Sequence, residues 1–165
     1  MKRFFIFILA ICLLIPCLAG GMGLTASAEG EVDLTCKSAC LVDYASGTML
    51  YSHNPKLHLP IASMVKMMTI LLTLEEFDKG TLTEDTMITT SENASGMGGS
   101  QVFIDPYVEY SAGDMLKSVI IASANDASVA LAEHISGSKK AFVVKMNERA
   151  KELGMNDTYY VNCTG

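Results

Sequence analysis

The 165-residue chain carries 12 lysines and arginines against 18 acidic residues, for a net charge of −6, and half of its residues are hydrophobic. An acidic chain of this kind lacks the basic patch that nucleic-acid binding needs, so nucleic acid is excluded as a partner. Five cysteines are present; Cys12 and Cys17 lie in the apolar N-terminal stretch, and the remaining Cys36, Cys40 and Cys163 are too odd a set for a fully paired disulfide framework. His53, His58 and His134 are scattered, so no metal site and no cofactor is expected.

Residues 1–28 read as a secretory signal peptide. Lys2 and Arg3 form a positive n-region, Phe4 to Leu18 an apolar core interrupted by Pro16, and Ala26-Ser27-Ala28 a small-x-small cleavage site before Glu29. The apolar run is shorter than the roughly 20 residues of a membrane-spanning helix, which argues against an uncleaved anchor. Pro16 beside Cys17 fits a lipoprotein signal poorly. Cleavage removes two positive charges and no negative one, leaving a mature chain long enough for one domain with a core. The expected organisation is signal peptide 1–28, flexible mature N-terminus 29–38 and a domain from 39 to 165.

Ala39 to Val42 is predicted to be a strand, Asp43 to Gly47 a turn, and Thr48 to Tyr51 the partner strand. Residues 52–60, with two prolines and two histidines, read as loop. From Ile61 onward Met64, Val65, Met67, Met68, Ile70, Leu71, Leu72 and Leu74 are apolar on nearly every helical face, which predicts a buried helix ending at Asp78-Lys79-Gly80. Residues 87–104 suggest short strands around the glycine-rich Ser95-Gly96-Met97-Gly98-Gly99-Ser100. Helices are predicted over Ser111 to Ala122, with Ser111 and Asp114 forming a capping-box-like start, and over Asp126 to Ile135. Ser138 then caps a third helix whose Phe142, Met146, Ala150 and Leu153 share a face, with Gly154 as its stop.

Two constellations can carry chemistry. Ser63 and Lys66, three residues apart, fall on one helical face in the first turn. A serine hydroxyl needs a base to become a good nucleophile, and a lysine amine serves only when neutral. The apolar neighbours Val65, Met67 and Met68 favour that neutral form, as does the positive potential of a helix N-terminus, which also aims N–H groups at an oxyanion near Ser63. The alternative is an N-capping Ser63 with Lys66 reaching to water. Ser-x-x-Lys also occurs at Ser136-Gly137-Ser138-Lys139, so the spacing alone decides little. The second constellation, Ser123-Ala124-Asn125 between two helices, offers a hydroxyl that can relay a proton and an amide that can bind a substrate amide. Its alternative is ordinary helix capping, and Ser91-Glu92-Asn93 has the same pattern. Asn93, Asn156 and Asn162 each begin an Asn-x-Ser/Thr triplet, read as incidental.

Pro60-Ile61-Ala62-Ser63-Met64-Val65-Lys66-Met67-Met68-Thr69, followed by Ser123-Ala124-Asn125-Asp126-Ala127-Ser128-Val129-Ala130-Leu131-Ala132-Glu133, resembles the paired motifs of serine-type D-alanyl-D-alanine carboxypeptidases, the low-molecular-mass penicillin-binding proteins. Ser91 to Ser100, Glu152 to Thr158 and Asn162 to Gly165 resemble the stretches between and after them. The resemblance runs from about Ala39 to the last residue. It implies a β-lactamase/penicillin-binding-protein-like transpeptidase fold of α/β (α+β) class, present as the helical subdomain with the N-terminal strands of the antiparallel sheet. It also implies an exported enzyme of the cell envelope that removes the terminal D-alanine from the peptidoglycan stem peptide and is acylated by β-lactams. In that reading Ser63 is the acyl-forming nucleophile, Lys66 its base, Ser123 the proton relay to the leaving D-alanine, and Asn125 a substrate-binding residue. The Ala124 between them stands where Gly is frequent.

The family's third motif, Lys-Thr-Gly, does not occur; Lys79-Gly80-Thr81 has the wrong order and place. The expectation is therefore an N-terminal fragment, inactive or nearly so by itself, without the C-terminal region through which family members contact the membrane. Two alternatives follow: a non-catalytic peptidoglycan-binding fragment, which the intact Ser63, Lys66, Ser123 and Asn125 oppose, and a β-lactamase, whose deacylating Glu is absent from Tyr159 to Gly165.

Overall fold

The computed structural model describes residues 34–165, so the signal-peptide reading and residues 29–33 lie outside the described residues. The described chain forms two compact units that divide at Pro55/Lys56. The first is an antiparallel hairpin of β1 (Ala39–Val42) and β2 (Met49–His53), with Ala39 opposite His53 and a register irregularity between Leu41 and Val42. Its turn is closed by the Asp43 carboxylate, which accepts from the Ser46 N–H at 2.9 Å and from the Ser46 hydroxyl, and by Gly47 at φ +68°. The first strand and the turn match the sequence reading. The second strand runs two residues further, because its pairing with Ala39 and Cys40 carries it into the segment read as loop.

The second unit contains the candidate site. A short 3-10 turn (Ala62–Val65) leads into α1 (Lys66–Asp78). Strand β3 (Met87–Thr89) pairs antiparallel with β4 (Glu109–Ser111), and between them lie the one-turn α2 (Glu92–Ser95) and the glycine-rich loop. Helices α3 (Ala112–Ala122), α4 (Asn125–Ser136) and α5 (Lys139–Glu152) complete it. Two serine caps and a glycine stop are as read: Ser111 accepts from Asp114 N–H, Ser138 from Ala141 N–H, and Gly154 ends the last helix region at φ +75°. Ser91 likewise caps α2, accepting from Ala94 N–H at 3.0 Å.

Helix α4 is the axis of this unit and packs against α1, α2, α3 and α5. Its run Ala127-Ser128-Val129-Ala130-Leu131-Ala132 is wholly buried. The small side chains let neighbouring backbones approach closely, and Leu72, Ile88, Met115, Phe142 and Met146 fill the remaining space. Ion pairs tie α1 to α5: Lys145 to Glu76 at 2.6 Å and Arg149 to Glu75 at 2.8 Å.

Four further expectations from the sequence differ from the structure. The Ser63 segment is a 3-10 turn rather than the first turn of the α-helix. The α1 helix is not buried on every face: Met67 and Leu74 are exposed, as is Met64 in the turn before it, and the covered face is Lys66, Met68, Thr69, Leu72 and Thr73. Finally, residues 101–104 form no strand, and the strand that pairs with β3 lies at Glu109–Ser111. There Tyr107 donates its N–H to Thr90 O at 2.8 Å and extends the ladder. Leu153, read as part of the apolar face of α5, is exposed beside buried Phe142, Met146 and Ala150.

Candidate active site

Lys66 is 3% exposed, and its Nζ stands 3.2 Å from the Ser63 hydroxyl and 2.8 Å from the Thr164 carbonyl oxygen, to which it donates. Burial holds the amine below the ordinary lysine value of 10.5, with the nearby Cys163 opposing that shift. The Cys163 thiol is itself pushed up by burial. The sequence assigned the dehydration of Lys66 to Val65, Met67 and Met68. In the structure Met67 points to solvent, and the Cys163–Thr164 segment, nearly a hundred residues along the chain, lies against the Lys66 face of α1.

Ser63 is exposed, which leaves its hydroxyl open to a molecule from solvent. It follows Ala62, whose φ of +48° is in the left-handed region that side chains rarely adopt. Backbone conformations of this kind cost about 1–3 kcal/mol and collect at functional sites. No side chain caps the turn, so Ser63 is not spent as a cap.

Ser123 and Asn125 sit at the α3–α4 junction. Ser123 ends α3 in the left-handed conformation, φ +53°, which turns the chain sharply into α4. Asn125 donates its backbone N–H to Ser100 O and its Nδ2 to Gly98 O, both at 2.7 Å. The glycine-rich loop is thus clamped onto the Ser-x-Asn segment. Gly99, at φ +82°, is required there twice over, because a Cβ on it would lie 2.7 Å from Asn125 Nδ2. The next residue, Asp126, is fully buried and accepts from the N–H groups of Val102 at 3.1 Å, Ile104 at 3.3 Å and Ala127 at 2.9 Å. Ser63 and Lys66 are directly joined; neither Ser123 nor Asn125 is hydrogen-bonded to that pair.

The two competing motifs resolve as structure. Ser138 of Ser136-Gly137-Ser138-Lys139 caps α5, and Ser91 of Ser91-Glu92-Asn93 caps α2 while donating to Glu133 Oε2 at 2.6 Å. Asn93 accepts from Lys139 Nζ at 2.9 Å. Sequence reasoning missed Asp126, Gly99 and the Thr164 carbonyl; the three glycines in the loop hint at a close backbone approach, whereas a carbonyl contact leaves no trace in residue type.

Residues 24–165 match the family described as D-alanyl-D-alanine carboxypeptidase. The D-alanyl-D-alanine carboxypeptidase DacF of Bacillus subtilis is 50% identical over 135 residues, covering 82% of this chain and 35% of that one. The crystal structure of the D-alanyl-D-alanine carboxypeptidase DacD of Francisella tularensis superposes with a TM-score of 0.80 at 35% identity, over 81% of this chain and 32% of that one. Penicillin-binding protein D2 of Listeria monocytogenes, solved in a cefotaxime-bound form, gives a TM-score of 0.72 at 30% identity, over 81% of this chain and 54% of its own. The chain spans about a third to a half of the length of the curated relatives it matches.

Proposed function

This chain belongs to the D-alanyl-D-alanine carboxypeptidase family, with part of the fold of penicillin-binding proteins, and from that premise we propose that it supplies the nucleophile half of a serine carboxypeptidase site in the bacterial cell envelope. The substrate is a peptidoglycan stem peptide ending in D-Ala-D-Ala, and β-lactams acylate the same serine. The observation that carries the reading is the buried Lys66 amine held 3.2 Å from the exposed Ser63 hydroxyl.

The chemistry follows from that pair. Neutral Lys66 takes the Ser63 proton as Oγ bonds to the carbonyl carbon between the two D-alanines. The tetrahedral adduct collapses, the C–N bond breaks, and Ser123 hands a proton to the departing amine of D-alanine. Asn125 binds the substrate amide, held in place by Gly98 and Ser100. Water then cleaves the ester and frees Ser63. Lys-Thr-Gly is absent from these 165 residues, so by themselves they lack the strand that the family places beside the serine. A missing oxyanion donor costs about 10²–10³ in rate, and turnover by residues 29–165 alone is expected to be very slow.

The test is labelling of the full-length protein by a fluorescent penicillin, with D-alanine release from a D-Ala-D-Ala peptide measured alongside. The wild type is expected to do both and Ser63→Ala neither. Equal labelling of Ser63→Ala, or binding of the peptide with no covalent adduct at all, would overturn the proposal in favour of another nucleophile or a non-catalytic peptidoglycan-binding role.

A further inference from the structure

Lys66 has a second partner besides Ser63, and that partner is built by a device of its own. The carboxamide oxygen of Asn162, an exposed residue, accepts from the N–H of Thr164 at 3.0 Å and from the N–H of Gly165 at 2.5 Å. This is a side-chain-closed turn of the kind asparagine favours. Its product is a pair of consecutive carbonyls hooked onto the Lys66 face of α1: Cys163 O accepts from Thr69 Oγ1 at 2.9 Å, and Thr164 O from Lys66 Nζ at 2.8 Å. Gly165 closes the arrangement. Its φ is +85°, and a Cβ there would fall 2.0 Å from Ala62 O and 2.8 Å from Ser63 N, so only glycine fits against the backbone that carries the nucleophile.

We propose that Asn162 and Gly165 are positioning residues, which fold the Thr164 carbonyl into place so that Lys66 is held on Ser63. The inference rests on the reading of Ser63 and Lys66 as nucleophile and base. A neutral amine has one lone pair; with one N–H fixed on Thr164 O, that lone pair is free to face the Ser63 hydroxyl. Without the turn, the four-carbon side chain regains its rotamers and the amine leaves the serine. A displacement of about 1 Å at a reacting pair is enough to lower the rate about 10²-fold. The Thr164 side chain takes no part, since the group used is its backbone carbonyl. Cys163 is the titratable group facing Lys66, with Glu133 and Lys139 acting in turn on Cys163; none of these is altered by the substitutions below.

The experiment compares the second-order rate of Ser63 acylation by a fluorescent penicillin, and its pH profile, in the full-length protein and four variants. Asn162→Leu removes the acceptor and is expected to acylate 10- to 100-fold more slowly with an altered pH profile, while its melting temperature stays within a few degrees. Asn162→Asp keeps an acceptor and is expected to stay within about threefold of wild type. Gly165→Ala is expected to fall at least as far as Asn162→Leu, and Thr164→Ala to change little. The inference is overturned if Asn162→Leu and Gly165→Ala acylate within twofold of wild type, or if Asn162→Asp loses as much as Asn162→Leu. Should Asn162→Leu fail to fold, the contrast of Gly165→Ala with Thr164→Ala decides in its place. Labelling that persists in Ser63→Ala marks failure of the underlying reading and is distinguishable from all of these outcomes.

Discussion

Replacing Asp126 with alanine probes how the fold supports the site. This carboxylate is fully buried, and its two long-range partners are the N–H groups of Val102 and Ile104, in the stretch that continues the glycine-rich loop. Hydrogen bonds to a charged acceptor contribute about 1.5–3 kcal/mol each, and an unsatisfied buried donor costs about 1–3 kcal/mol. Both distances are at the long end, so the lower values apply, and Asp126→Ala is expected to lose about 3–4 kcal/mol. Urea unfolding of the full-length protein should show this as a lower midpoint with an unchanged slope. Penicillin acylation should slow in parallel, because the loop that holds Asn125 through Gly98 and Ser100 is released. A loss below 1 kcal/mol with normal acylation would refute the view that Asp126 anchors this loop to the Ser-x-Asn segment.

Lys66→Met is expected to reduce Ser63 acylation by about 10²–10⁴, the usual contribution of a positioned base, as read by stopped-flow labelling. The same change should raise the melting temperature at pH 7. The folded protein depresses the Lys66 pKa, so the penalty for burying its cation is fully present below the folded value and disappears as pH rises through 10.5. Glu76 behaves oppositely: Lys145, Thr81 and Lys79 hold its carboxyl down to about 2 from 4.5, so its stabilisation is present above pH 4.5 and is lost as pH falls toward 2. With solvent screening at the Lys145 end, Glu76→Gln should cost about 1–2 kcal/mol at pH 7 and nearly nothing at pH 2, by thermal melts at the two pH values. Gly99→Ala should displace the Asn125 amide and lower kcat/KM for a D-Ala-D-Ala peptide about tenfold or more, whereas Gly98→Ala, with open space at its Cβ position, should not.

Much of this was legible in the residues. Serine caps, helix-stopping glycines and the first hairpin strand follow from local chemistry, and the structure places them where that chemistry puts them. The Ser63–Lys66 spacing is legible in the residues, but it fits a capping serine equally well; the resemblance favours the pair, and the structure joins the two side chains at 3.2 Å. Three features are not legible there. A positive φ at Ala62 is imposed by tertiary contacts, since alanine has no preference for it. The sequence neighbours of Lys66 account for only part of its surround: Met68 is buried but Met67 is exposed, and Cys163 and Thr164 add contacts through carbonyls that every residue possesses. The role of Asp126 was hidden because an acidic residue in the first helical turn already has a sufficient local explanation.

The most direct measurement is the titration of the Lys66 amine itself, followed by isotope-edited NMR on the full-length protein. The amine should lose its proton below 10.5, and the rate of Ser63 acylation should climb with pH along the same curve, since only the neutral form can accept the serine proton. An amine still fully cationic at pH 10.5, in an enzyme already acylating at its maximal rate near neutrality, would contradict it.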